Sequence, residues 1–207
     1  MPAAEPDIFV YKIVVDSGGA PCVSRNLLSL ALCKPKIRKT AGKDSFVFGF
    51  GGKEYEERLI YIARVTAKLE GTAYYRRREY ARRPDCIYQE KNDRPVRKSS
   101  AKYHFDSDHR KKDVGFHFEN AFVLLSDDFR YLGQKGTDDY KTRYLKIERL
   151  IEDLTRGHRR HHSAALRKEL MALKAEVWRK YRRMKVGVPT ETDRSRPCNQ
   201  ECPSVRC

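Results

Sequence analysis

The chain has 207 residues, enough for one domain with a substantial core and an appendage. Its 44 lysines and arginines outnumber 28 aspartates and glutamates, and the formal charge of +16 indicates a polyanionic partner: DNA or a nucleotide is favoured, and RNA is the alternative. No apolar run approaches the roughly 20 residues that a bilayer-spanning helix needs, which argues against a membrane protein. The lack of a signal-peptide pattern and three cysteines scattered through the body favour a cytoplasmic setting. The sequence indicates no particular cofactor or oligomeric state.

The first part of the chain has the pattern of an α+β domain. Residues 8–15, 46–50 and 59–66 are rich in β-branched and aromatic side chains and predict buried strands. Residues 26–32 are a short apolar run before a proline, which we interpret as one or two helical turns, with a strand as the alternative. Residues 114–125 predict one bent strand or two short ones. Together these elements suggest a small curved sheet or partial barrel.

The apolar period changes from 2 to 3.6 after residue 138. Two amphipathic stripes follow, and Ser163 is placed to cap the second helix. We therefore predict a basic helical hairpin at 138–185, after a first domain at 8–133. Residues 186–207 lose this periodicity, and we expect a disordered tail.

A basic segment connects the apolar run at 26–32 to the predicted strand at 46–50, which ends in glycines that include Gly49. Cations beside glycines form a plausible cradle for a phosphate or a base edge, although a solvated loop before a buried strand has the same composition. The candidate binding cations are Lys34, Lys36, Arg38 and Lys39.

Three residues are candidates for catalysis. Asp16 ends the first strand, where a carboxylate can reach a ligand or cap the turn. Cys33 stands beside a lysine, which favours a thiolate nucleophile, but short apolar runs also hold cysteine as a small core residue. Asp44 can act as a general base or pair with a nearby cation such as Arg38.

The segment 73–83 is dense in tyrosine and arginine and offers aromatic faces for stacking and guanidinium groups for phosphates. The alternative is a solvated helix whose arginine stems cover apolar surface. The candidate binding residues of this segment are Tyr75, Arg76, Arg77 and Arg78.

The histidines do not predict a metal site. His158, His161 and His162 have helical spacing, but the neighbouring arginines repel a cation, so a basic connector is favoured. His104 and His109 stand in a polar segment with Asp106 and Asp108, where we expect scattered surface residues. The cysteines of the C-terminal segment lack the paired spacing of a zinc site; they are Cys198, Cys202 and Cys207.

Several fragments occur in an order that is similar to one known family. The fragments are YKIVVDSGGAP, LALCKPKIRKTA, Asp44 with the strand to Gly49, LIYIARVT, RPDCIY and FRYLG, over about residues 10–133. They resemble the nucleotide modification associated domain 2 family of bacteria and their phages. The chain departs from the family pattern at Lys43, where glycine is usual, and at Cys86, where asparagine is usual.

This resemblance implies a small α+β domain of a system that makes or handles modified bases in DNA, with the C-terminal helices as an added module. It adds Asp85 and Tyr88 as groups that line the site, and Tyr61 of the third strand joins the candidate binding residues. An enzyme, a non-catalytic reader of modified bases and a generic RNA- or DNA-binding domain all stay open. The order of elements is also similar to the PUA and EVE-like barrels, a likeness at the level of the fold alone.

Overall fold

The computed structural model describes residues 5–104, 107–155 and 157–190. The strands of this part of the chain are β1 (Ile8–Ile13), β2 (Cys22–Ser24), β3 (Leu27–Leu30), β4 (Phe46–Gly51), β5 (Leu59–Arg64), β6 (Ala67–Glu70), β7 (Tyr88–Lys91), β8 (Arg94–Arg97), β9 (Phe122–Ser126), β10 (Asp128–Tyr131) and β11 (His158–Arg159). The α-helices are α1 (Pro35–Thr40), α2 (Ala73–Arg76), α3 (Ser107–Asp113), α4 (Tyr140–Arg143), α5 (Leu145–Asp153) and α6 (Ala164–Lys180). No helix in these ranges is long and apolar enough to cross a bilayer.

The strands form three sheets. The first has the order β10-β5-β4-β1-β11, the second β2-β3-β9-β6, and the third is the pair β7-β8. Only β1 and β4 pair in parallel; the other pairs are antiparallel. The α+β class is confirmed, and none of these sheets closes into a barrel within the described ranges.

Strand β1 is buried on both faces, because the first sheet lies between two apolar layers. Ile8 and Val10 face a core that includes Ile147 and Leu173 of the C-terminal helices. The alternate residues, such as Phe9, face a second core shared with β3, β9 and α1. Successive strand side chains point to opposite faces, so the apolar run IFVY at the start of β1 requires cover on both sides.

The C-terminal helices are joined to the first sheet through backbone as well as side chains. Ser163 is the N-cap of α6, as predicted, and its Oγ accepts a hydrogen bond from Leu166 N at 3.3 Å. Strand β11, between α5 and α6, pairs with the edge of β1. After α6 the chain returns to β10, where Val186 N donates to Tyr131 O at 2.9 Å. Residues 191–207, the rest of the predicted tail, lie outside the described ranges.

Two of the element predictions were wrong. Residues 27–30 form a strand rather than helical turns, because β2 and β9 on either side supply the hydrogen-bonding partners that a short apolar run lacks by itself. In the interval 114–125, strand structure begins only at Phe122, since the chain first leaves α3 through a turn at Gly115 with a φ of 80°.

Gly49 tests how tightly β4 packs against its neighbours. A Cβ at Gly49 would lie 2.6 Å from Tyr61 Cδ1 and 2.8 Å from Ile13 Cδ1, both in the buried core, whereas a Cβ at Gly42 would meet nothing within 4 Å. We expect Gly49→Ala to lower the free energy of unfolding by about 1–3 kcal/mol through overpacking. The matched change Gly42→Ala should stay within about 0.5 kcal/mol. Urea denaturation measures both, and equal effects would contradict this packing.

Candidate active site

The loop between β3 and α1 holds Cys33 in an unusual backbone conformation. Cys33 and Lys34 have φ values of 56° and 45°, in the left-handed region that costs a non-glycine residue about 1–2 kcal/mol. The loop is fixed from both sides: Cys33 N donates to Asp113 Oδ1 at 2.8 Å, and Cys33 O accepts from Arg38 Nε at 2.7 Å. Strained loop residues that are held in this way are frequent at functional sites.

Arg38 is the buried cation that organises this loop. Its side chain is completely buried, and its guanidinium donates to Asp113 Oδ1 at 3.0 Å, to Asp113 O at 3.1 Å and to Phe122 O at 2.7 Å. Breaking a buried, hydrogen-bonded ion pair costs about 3–5 kcal/mol, because it leaves an uncompensated charge in the interior. The donors of Arg38 are therefore used inside the fold and do not face a ligand at the surface.

The Cys33 sulfur lies beside a histidine that is itself held by a carboxylate. His104 Nε2 is 3.4 Å from Cys33 Sγ, and His104 Nδ1 forms an ion-pair contact with Asp113 Oδ2. The His104 and Asp113 residues are each only 2% exposed, whereas Cys33 is partly exposed. A nucleophile, a base next to it and a third group that orients the base are the arrangement that activates a thiol for attack.

The site favours a charged histidine. Burial by itself would lower the pKa of His104, but the hydrogen bonds with Asp113 and Cys33 outweigh burial and raise this pKa from 6.5 to about 10. At neutral pH His104 is therefore an imidazolium. A cation in contact with a sulfur stabilises the thiolate, which is the reactive form of cysteine.

Asp16 is another candidate for catalysis, but its hydrogen-bond partners belong to the framework of the fold. It is fully buried and accepts hydrogen bonds from Tyr131 OH at 2.7 Å and from Thr190 N at 3.0 Å. Burial raises the pKa of Tyr11 well above its ordinary value, and Tyr61, Cys33 and Asp16 raise it further. The structure thus brings Asp16 and Cys33 within electrostatic reach of one tyrosine.

The third catalytic candidate lies elsewhere. The Asp44 carboxylate is 58% exposed and pairs with Arg64 NH1 at 3.3 Å. Gly49 and Tyr61, predicted to bind a ligand, pack against each other in the core, and Tyr61 OH is 3.0 Å from Tyr11 OH. Gly49 and Tyr61 therefore belong to the packing of the first sheet.

The segment implied by the resemblance is also internal. Asp85 is fully buried and accepts from Ser29 Oγ at 2.5 Å and from Tyr74 OH at 2.7 Å, with Arg83 Nε at 3.5 Å. Tyr88 lies in the same buried cluster. In this arrangement Asp85 holds the second sheet against α2, while Tyr88 lies within electrostatic reach of Asp113 and Arg38.

The tyrosine- and arginine-rich segment does not present the predicted stacking surface. Tyr75 is buried against Tyr88 and Phe118. Arg76 is exposed but pairs with Glu90, with an Nε–Oε2 distance of 2.5 Å. Arg77 and Arg78 are exposed, and Arg77 NH1 is 3.7 Å from Glu79 Oε1.

The other predicted cations are close to the surface. Lys34 Nζ lies 4.8 Å from the centroid of the Tyr11 ring and donates to Lys12 O at 3.3 Å, whereas Lys36 and Lys39 on α1 are exposed. No group of three or more potential metal ligands occurs within residues 5–104, 107–155 and 157–190.

One protein-family model matches nearly the whole chain. The sequence model of nucleotide modification associated domain 2 matches residues 5–196. The chain belongs to this family. The match includes the C-terminal helices, so the expectation that they lie outside the resemblance was wrong, while the division of the chain into units at 8–133 and 138–185 stays a prediction. No curated protein and no solved structure matches the chain.

Sequence reasoning missed two members of the site in this family member. We expected His104 at the surface among Asp106 and other polar residues. No pattern in the sequence distinguishes Asp113 from the charged residues that precede it. Asp106 lies outside the described ranges. The available signal was a cysteine beside a lysine with a histidine elsewhere in the chain, but sequence alone does not show which histidine meets Cys33.

Alkylation of Cys33 tests the imidazolium–thiolate pair. We expect iodoacetamide to modify Cys33 at pH 6 at least about tenfold faster than an ordinary thiol of pKa near 8.5, with little further gain up to pH 8. His104→Gln should slow the reaction at pH 6 and restore a rate that rises with pH, because the cation beside the sulfur is gone. Peptide mass spectrometry at timed quenches gives the rate at each cysteine.

The buried Cys22 and Cys86 are internal controls that should react only when the protein unfolds. A Cys33 rate that rises steeply between pH 6 and 8 in the wild type, as in His104→Gln, would contradict the charged pair.

Proposed function

We propose that this protein is an enzyme of a nucleotide-modification system that uses Cys33 to attack a carbonyl carbon carried by a modified base or its nucleotide. The observation that supports this most directly is the contact series from Cys33 Sγ through His104 to Asp113. Membership of the family supplies the link to nucleotide modification. Cys–His–Asp arrangements of this kind serve acyl transfer and amide or ester hydrolysis.

The proposed reaction needs only water as a second reactant. The Cys33 thiolate adds to the carbonyl carbon and forms a C–S bond. When the tetrahedral intermediate collapses, the bond to the leaving nitrogen or oxygen breaks, the electron pair stays on that atom, and His104 Nε2 gives it a proton. Water then attacks the thioester, His104 accepts the proton of the water, and the thiolate leaves.

Buried groups around the sulfur suit these steps. Asp113 holds the imidazole ring through Nδ1, so that Nε2 faces the sulfur in both proton transfers. Arg38 fixes Asp113 and the carbonyl of Cys33, which keeps the distance between nucleophile and base nearly constant. The Lys34 ammonium, one residue from the thiol, supplies positive charge for an anionic substrate group.

We also propose the finer setting that the sequence indicated. DNA is the preferred source of the modified base, RNA is the alternative, and a cytoplasmic location suits the reduced state of Cys22, Cys33 and Cys86. The basic helical hairpin and the PUA-like relationship stay predictions. A non-catalytic reader of modified bases would use the same pocket without the covalent step.

Nucleoside mass spectrometry tests the activity. We expect DNA and nucleotide pools from cells that produce the wild type to gain or lose one modified species, relative to cells without the protein. Cys33→Ser should abolish this change, because an alcohol beside the imidazolium is a far weaker nucleophile. Cys86→Ser, a matched change at a buried cysteine whose sulfur contacts Lys98 Nζ and not His104, should retain it if the variant accumulates to the same level.

A modified species that changes equally with wild type and Cys33→Ser would contradict thiol catalysis. Binding of modified nucleosides without any change in their abundance would favour the reader.

A further inference from the structure

A second basic feature lies next to the Cys33 loop. A cleft of about 470 Å³ runs between α1 and the segment of β11, and is lined by Lys36, Lys39 and Thr40 on one wall and by residues 158–161 on the other. Lysine and arginine side chains therefore face the cleft from both walls. Its lining residues within the described ranges include no carboxylate.

Several basic side chains elsewhere in the protein are paired with acidic ones. On the C-terminal helices, Arg167 pairs with Glu5 at 2.9 Å and Lys180 with Asp139 at 2.7 Å. Within the described part of the chain, Lys36, Lys39 and Arg159 form no such ion pair. Arg160 pairs with Asp7 at 2.9 Å, so the unpaired cations of the cleft within the described ranges are Lys36, Lys39 and Arg159.

The repulsion inside the cleft is visible at a histidine in its wall. Burial lowers the pKa of His158, and the charges of Lys36, Lys34 and Arg160 lower it further. Cations from both walls of the cleft thus act on His158. An anion that enters the cleft relieves this repulsion as well as gaining direct attraction.

One short helix connects the thiol site with the cleft. Cys33 lies two residues before the start of α1 at Pro35, and Lys39 and Thr40 are at the other end of this helix. Six helical residues extend about 9 Å, which equals about two to three nucleotide steps at 3.4 Å along one strand of B-form DNA. In the register of the sheet, His158 also lies opposite Tyr11, over whose ring Lys34 is placed.

We propose that this cleft binds the phosphodiester backbone of a nucleic-acid strand and directs the strand toward Cys33. Cations on two walls fit charges repeated along a polymer better than a single nucleotide. The direction toward Cys33 rests on the proposed function, whereas binding of the backbone in the cleft does not. The modified base would then be processed within a polymer and not as a free nucleotide.

Binding of labelled nucleic acids measured by fluorescence anisotropy tests the proposal. The probes are a DNA duplex, a single DNA strand and an RNA strand of the same sequence, each between 50 and 200 mM salt. Lys36→Glu with Arg159→Glu should weaken binding of the best probe about tenfold or more at the lowest salt. Loss of two phosphate contacts should also reduce the magnitude of the slope of log K against log salt by about 1.8 for a duplex.

Arg182→Glu with Arg183→Glu on the exposed basic segment after α6 is the matched control, because it changes the net charge equally. We expect this control to weaken binding less than about threefold. Equal losses in the two double variants, or no loss in the cleft variant, would overturn the cleft as the binding site. Competition by a mononucleotide at the same phosphate concentration as the polymer would overturn the choice of a polymer.

The two proposals fail separately. Cys33→Ser should bind nucleic acid as the wild type does, and the cleft variant should keep the rapid alkylation of Cys33 at pH 6. A missing turnover with intact cleft-dependent binding would remove only the enzyme proposal. Rapid alkylation with unchanged binding in the cleft variant would remove only the cleft.

Discussion

One buried carboxylate fixes the geometry of the candidate site. Asp113 Oδ1 accepts from Arg38 and from the backbone of Cys33, and Asp113 Oδ2 contacts His104. These groups come from two separate parts of the chain: the stretch from Cys33 to Arg38 in α1, and the segment from His104 to Asp113 at the end of α3. Because an unpaired charge in this interior would be costly, the four residues keep one arrangement. The thiol therefore has its base in place before any substrate arrives.

The sheets provide the rigid support for that arrangement. Strand β1 is covered on both faces, by the C-terminal helices on one side and by the second sheet on the other. The site lies at the edge of the second apolar core, where β3 is followed by the Cys33 loop and α1. Contacts between residues 71 and 80 positions apart along the chain are thus held at hydrogen-bond distance. Loop closure over such separations is unfavourable unless packing stabilises it.

The net charge of +16 describes this protein only in part. Arg38 and Arg83 are buried and donate to carbonyl groups and carboxylates of the interior, so they support the fold and contribute little to the surface field. Many exposed arginines pair with acids. Lys36, Lys39 and Arg159, which form no ion pair within the described ranges, line one cleft beside α1, next to the Cys33 loop. A polyanion would meet this surface and the thiol together.

The sequence by itself determined the family, the α+β class, the main strands β1, β4 and β5, and the capped start of α6. These features depend on local patterns: β-branched runs, a change of period from 2 to 3.6, and a serine at an N-cap. It also gave Cys33 as a candidate nucleophile, although short apolar runs more often hold cysteine as a small core residue. The tertiary structure decided which partners each side chain has. A histidine expected at the surface became the partner of Cys33, and cations and tyrosines expected at a binding surface became interior supports, because only packing over long separations sets burial and contact.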